Sequence, residues 1–134
     1  MKLVQVELCK IIIDEKRQDQ VIVLKEKDGD RQFPIVIGFL EASSIKMKLA
    51  NVVPPRPMTH DLLVSVIESL GVDLERLVID KMVKNTFHGK LKFILPDGSE
   101  RIVDTRPSDG IAIAVRMGID IYVAEEIINK TALF

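Results

Sequence analysis

The sequence predicts an α+β domain: a mixed, mainly antiparallel sheet built from two strand meanders, with three main helices, one of them buried. Three observations carry that prediction. The first third holds three β-branched-rich runs, Val4 to Leu8, Val21 to Leu24 and Phe33 to Ile37, separated by short polar turns. After Gly38 the apolar spacing lengthens to the helical repeat. Ile111 to Val115 is apolar nearly all round within a helical segment, the pattern of an enclosed helix.

Taken in order, the first run sets Val4, Val6 and Leu8 against Gln5, Glu7 and Cys9. "DEKRQD" and "KDGD" connect it to the next two, and Asp28-Gly29 favours a tight hairpin because glycine accepts positive φ cheaply. Gly38 to Asn51 reads as a helix with Ala42, Ile45 and Leu49 on one face, stopped by "VVPPRP", whose prolines cannot continue the hydrogen-bond ladder. A second helix opens with Thr59 as N-cap and Asp61 in its first turn, carries Leu62, Leu63, Val66, Ile67 and Leu70 as its apolar stripe, and stops at Gly71. Leu77 to Lys84, Phe87 to Leu95 and Arg101 to Thr105 read as strands, the last two joined by "PDGS". The third helix runs from Pro107 to Met117 and ends at Gly118, followed by a short strand, Ile121 to Val123, and a helical turn from Glu125.

A chain of 134 residues with 47% apolar and 29% charged residues fits one domain, 1–134, with a core that needs no disulfide or metal staple. The formal charge of -1 supplies no overall basic field, so any nucleic-acid binding must use a local patch. The lone Cys9 excludes an internal disulfide and a cysteine zinc cluster, and is expected as a small, buried or half-buried strand side chain rather than a nucleophile. Gln5, Glu7 and Lys10 interrupt the N-terminal apolar residues, so no signal peptide is read, and no run approaches the ~18 apolar residues of a membrane span. A cytoplasmic protein is expected. Ile11, Ile12 and Ile13 put apolar side chains on both faces of a strand, which predicts a homo-oligomer, most economically a dimer.

The chemistry-bearing residues cluster at helix starts. If Asp97-Gly98 form the centre of their hairpin, Leu91 lies opposite Asp104 and this carboxylate points toward the core, where it needs Ser108, Arg106 or the free N–H groups of the third helix as partners. Asp109 adds charge favourable to the helix dipole. "RPMTHD", Arg56 to Asp61, repeats the order of "RPSD", Arg106 to Asp109: arginine, proline, hydroxyl, acid. Two such helix starts can converge on a phosphate or hold a metal between carboxylates, or each can simply anchor its own helix. The residues leave both open. His60 in a first turn reads as a capping or surface histidine, and His88 with Lys90 and Lys92 as a solvated sheet face.

Taken together, "FPIVIGFLEASSIKMKL", "RPMTHDLLVSVIESLG", "NTFHGKLKF" and "DTRPSDGIAIAVRMGIDIYVAEEII" resemble, in order and spacing, the bifunctional nuclease domain family. The resemblance implies an α+β domain; some members cleave DNA and RNA, and others are conserved proteins of unassigned role. Motif positions carried over are Glu41, Arg56, His60, Asp61, Asp104, Arg106, Ser108 and Asp109. The sequence departs from the pattern at Gly110, where alanine is expected, and at His88, where an aromatic is common. Some relatives carry a further C-terminal module, and this chain is expected to lack it.

A nuclease and hydrolase reading follows, with catalytic residues Asp104, Asp109, Arg106, Arg56 and His60, and a phosphate held by Arg56, Arg106 and Ser108. Glu41, Asp61, Asp104 and Asp109 are the candidate ligands of Mg²⁺ or Mn²⁺, and DNA or RNA is the partner. The competing class is a non-catalytic, homo-oligomeric binding or regulatory module in which the same residues anchor helices.

Overall fold

The computed structural model describes residues 1–14, 16 and 18–131. Among these residues are seven strands, β1 (Leu3–Ile12), β2 (Asp19–Glu26), β3 (Gln32–Gly38), β4 (Asp73–Val83), β5 (Thr86–Ile94), β6 (Glu100–Thr105) and β7 (Asp120–Ala124), and four helices, α1 (Phe39–Leu49) and α2 (Thr59–Ser69) between β3 and β4, α3 (Pro107–Met117) between β6 and β7, and α4 (Glu125–Thr131) after β7. The α+β class and the mainly antiparallel sheet are as the sequence predicts. The finer details differ. There are four helices among the described residues, because the turn expected from Glu125 continues as α4 and buries Ile127 and Ile128. The two strand runs are also not separate meanders: β7 lies between β1 and β4 and joins them into one sheet of order β3-β2-β1-β7-β4-β5-β6. β7 is antiparallel to β1 and parallel to β4.

Register decides which side chains are inside. The pairs Leu24↔Phe33, Ile22↔Ile35, Leu77↔Ile121, Ile79↔Val123 and Leu77↔Leu91 put one continuous apolar row across one sheet face. Those residues are buried and share a single core with Ala42 and Ile45 of α1 and with Ile111 to Ala114 of α3. α1 lies on β2 and β3, α3 on β4, β5 and β7, and both α1 and α2 pack on α3. Helix α3 is therefore enclosed between sheet and helices, as its lack of a polar face requires.

The opposite face of β4, β5 and β6 is solvated. Lys90 pairs with Asp104 and Asp80, and Lys92 with Glu75 and Glu100. This corrects the placement of Asp104. The β5–β6 hairpin is closed by Leu95 N–H to Ser99 C=O, leaving a three-residue loop with Gly98 at φ +87. The register shifts by one residue, Lys90 rather than Leu91 faces Asp104, and the carboxylate turns to solvent. Cys9 is also exposed, at the register break between Leu8 and Lys10, rather than half-buried.

Helix α2 departs furthest from expectation. Its buried residues are His60 and Ile67, whereas Leu62, Leu63, Val66 and Leu70 are exposed, as is Leu49 of α1. Met58, not Thr59, occupies the N-cap, with Asp61 accepting the Met58 backbone N–H at 3.0 Å. No helix among the described residues is long and apolar enough to cross a membrane.

Candidate active site between α1, α2 and α3

Three helices each bring polar side chains to one place because their spacing follows the helical turn. Glu41 and Ser44 are three apart on α1; Asp109 and Arg116 are seven apart, two turns, on α3; His60 and Asp61 open α2. The imidazole of His60 is the centre of the cluster. Its Nε2 lies 2.9 Å from Asp109 Oδ1 and its Nδ1 2.7 Å from Ser44 Oγ. Arg106 donates from Nε to the other Asp109 oxygen at 2.7 Å, and its Nη1 lies 3.6 Å from Glu41 Oε1.

A second arginine closes the network from beneath. Arg116, its side chain only 7% exposed, donates to Asp61 Oδ1 at 2.9 Å, to Ser44 Oγ at 2.9 Å and to the Ala112 carbonyl at 2.9 Å. Each of the charged groups is thus paired, which a buried polar cluster requires. Asp61 is held below the usual carboxylate range by the Arg116 guanidinium and by the Met58 N–H. Burial pushes Asp109 up, but its hydrogen bonds to Arg106 and His60 outweigh that and leave it lowered.

Two shallow clefts meet at the Glu41–Arg106 pair. The first, about 320 Å³, is lined by Leu40, Met47 and Met58 together with Ser44, His60, Asp109, Arg106 and Arg116. The second, about 290 Å³, runs past Ile37, Asn85 and Phe87 to Ser108, and shares Glu41 and Arg106 with the first. Ser108 is buried, and its hydroxyl makes no hydrogen bond among the described residues.

The structure gathers part of the set expected from sequence. Glu41, His60, Arg106 and Asp109 converge, and Ser108 stands on the neighbouring cleft. Asp61 is adjacent but bound to Arg116. Arg56 is exposed in the loop before α2 and lines neither cleft. Asp104 is on the far sheet face with Lys90. His60 is buried, not a surface or capping histidine. Among the described residues no group of three or more His, Cys, Asp or Glu stands together as a metal-ligand set, and of the four expected ligands Glu41 and Asp109 share the cleft while Asp61 is bound to Arg116 and Asp104 lies on the far sheet face. Sequence reasoning missed Ser44 and Arg116. The signal was present as spacing, since Ser44 follows Glu41, and Arg116 follows Asp109, by near-integral helical turns.

Over 129 residues the chain is 38% identical to an uncharacterised protein of Mycobacterium tuberculosis, covering 96% of this chain and 76% of that one. It is 31% identical over 115 residues to Bifunctional nuclease 1 of Oryza sativa subsp. japonica, covering 84% of this chain and 35% of the rice protein. Bifunctional nuclease 1 of Arabidopsis thaliana is 29% identical over 105 residues, 76% of this chain and 32% of the plant protein. The chain spans about a third of the length of those plant relatives. Residues 22–134 match the bifunctional nuclease domain, and the chain belongs to that family.

Proposed function

We propose that this protein is a nuclease that hydrolyses phosphodiester bonds of DNA or RNA at the cleft between α1, α2 and α3. The observation that carries the reading is the convergence of His60, Asp109 and Arg106 on one open cleft. Arg106, 67% exposed at its side chain, reaches solvent while Asp109 fixes its stem, the arrangement wanted of a phosphate-binding guanidinium. Ser108 and the free N–H groups of the first turn of α3 add donors on the same side. Arg56 is available to a neighbouring phosphate of a longer strand. His60, oriented by Asp109, is the general acid or base. We place the protein in the cytoplasm, where an exposed thiol such as Cys9 stays reduced.

The test is cleavage of single-stranded DNA and RNA oligonucleotides with Mg²⁺, with Mn²⁺ and with chelator. Wild type should cut, and Arg106→Ala and His60→Ala should each lose about 10²-fold or more in turnover. No cleavage under any condition, or equal cleavage by both variants, overturns the reading.

One observation favours a second reading, a homo-oligomeric binding or regulatory module. Leu62, Leu63, Val66 and Leu70 fall within one arc of α2, are exposed, and carry no charge among them. Light scattering at micromolar concentration should then give a multimeric mass that Val66→Glu reduces to the monomer. A monomeric wild type excludes it.

A further inference from the structure

The proposed nuclease site assigns no work to Ser44, yet Ser44 is the residue to which the network leads. Hydrogen-bond accounting fixes its proton. Arg116, which has only donors, gives one hydrogen to Ser44 Oγ at 2.9 Å. The Asp109 carboxylate, which only accepts, keeps the ring hydrogen of a neutral His60 on Nε2, so among the described residues the Ser44 hydroxyl hydrogen goes to His60 Nδ1 at 2.7 Å. His60 accepts there and donates its Nε2–H to Asp109 at 2.9 Å. The order is hydroxyl, imidazole, carboxylate, with each contact within 2.6–3.2 Å, the arrangement that marks an activated nucleophile. Compared with the serine proteases the two ring nitrogens exchange roles, but the chemistry requires only that one face the hydroxyl while the other donates to the acid.

Two further features separate this from a buried polar clip. Ser44, His60 and Asp109 all line the same open cleft, whose wall combines the apolar Leu40, Met47 and Met58 with the charged Glu41, Arg106 and Arg116. The buried Arg116, paired with Asp61, also sets a positive charge 2.9 Å from Ser44 Oγ, where it stabilises negative charge on an attacking oxygen.

We propose that Ser44 is the nucleophile of this site, with His60 as its general base and Asp109 orienting the imidazole. The inference rests on the nuclease reading for its substrate. As Ser44 Oγ bonds to phosphorus, its proton passes to His60 Nδ1; the bond from phosphorus to the leaving nucleoside oxygen breaks, and that oxygen takes the proton from His60. Water then attacks the phosphoseryl group, gives its proton to His60, and the phosphorus–Oγ bond breaks with return of a proton to Oγ. One water is consumed and no oxidant or reductant is needed. Arg106 faces the phosphoryl oxygens in both steps.

The experiment treats the purified protein with a fluorophosphonate probe and reads intact mass and the labelled peptide, alongside the oligonucleotide assay. Wild type should gain one phosphonyl group at Ser44 with loss of fluoride, and His60→Ala should not. Ser44→Ala should keep a cooperative melt while cleavage falls by about 10³-fold or more. Wild type that cleaves nucleic acid but carries no label at Ser44, or Ser44→Ala that cleaves at the wild-type rate, overturns the nucleophile and leaves the nuclease reading standing. Label at Ser44 without cleavage removes the nuclease reading and keeps a reactive serine for another ester. A label elsewhere, or none in a protein that also fails to cleave, removes the nucleophile. The wild-type labelling needs no variant, so an unfolded mutant does not leave the question open.

Discussion

At the scale of single residues, hydrogen-bond geometry sorts the acids that sequence could only group. Asp104 and Asp109 stand five apart and look equivalent in "DTRPSD", yet one pairs with Lys90 on the solvated sheet face and the other with His60 in the cleft. The difference comes from one residue of hairpin loop at Gly98, because a register slip of one exchanges sheet faces. Asp97-Gly98 signals a turn without fixing whether the loop holds two residues or three. Gly110 is a second case. Sequence reading treats it as a weak helix residue that alanine would improve by about 0.5 to 1 kcal/mol. In the fold, a Cβ there would lie 2.7 Å from Leu77 Cδ1 and 3.3 Å from Thr105 Cγ2, and Leu77 is fully buried with little room to turn. Overpacking of this kind costs about 1 to 3 kcal/mol, which exceeds the gain in helix propensity. Gly110→Ala should therefore lower stability by about 1 kcal/mol in urea unfolding; an unchanged or raised midpoint would show that Leu77 yields.

At the scale of elements, the boundaries of the strands and of α1, α2 and α3 were largely legible, since caps, prolines and changes of period act locally. The outward side of α2 was not. Periodicity marks a helix as having an apolar stripe, but it does not say which neighbour that stripe meets, and here Ile67 of the stripe turns inward with His60 while Leu62, Leu63, Val66 and Leu70 stay exposed. A buried histidine on that inner face can be chosen only if Ser44 and Asp109 are known to wait across the interface, and those are non-local facts. Helix α3 shows the opposite: an all-apolar helix has no orientation to guess. Ile111 is fully buried between the sheet and the other helices. Ile111→Ala should cost about 2 to 5 kcal/mol, through lost burial plus the cavity left behind. Denaturant unfolding measures it, and a loss below about 1 kcal/mol would mean that the site collapses or that α3 is not the centre of the core.

At the scale of the whole molecule, the same ion pairs that shape the cleft tie stability to pH. Arg116 beside Asp61, and Arg106 with His60 beside Asp109, leave both carboxyls lowered in the folded chain. Glu26 is likewise lowered by Arg31, which also reaches Glu125 and Asn129 and so links the β2–β3 turn to α4. A carboxylate whose pKa falls on folding contributes stability in full above its unfolded value, near 4, and loses it as pH drops through the folded value. The melting temperature should hold steady from neutral pH to about 5 and fall below about 4. Arg116→Met should make the acid limb shallower, because Asp61 then loses the largest of the interactions that hold it below its unfolded value and keeps the Met58 N–H. An acid limb of the same steepness in that variant would assign the effect to other carboxyls.

The placement of β7 bears on how the chain is made. Strands β1 and β4 each leave an edge that only Asp120–Ala124 fills, one antiparallel and one parallel. During synthesis from the N-terminus, two three-stranded pieces are therefore complete in their own pairing while the strand that unites them has yet to emerge. Each waits with an open edge of unpaired amides, the state most prone to pairing with the wrong chain. Closure also requires partners more than a hundred residues apart, such as Val4 and Val123, to meet, which is slow because the loop entropy is lost before the contacts form. The sheet is thus completed by a late, long-range step, after the strands of both its halves have been made.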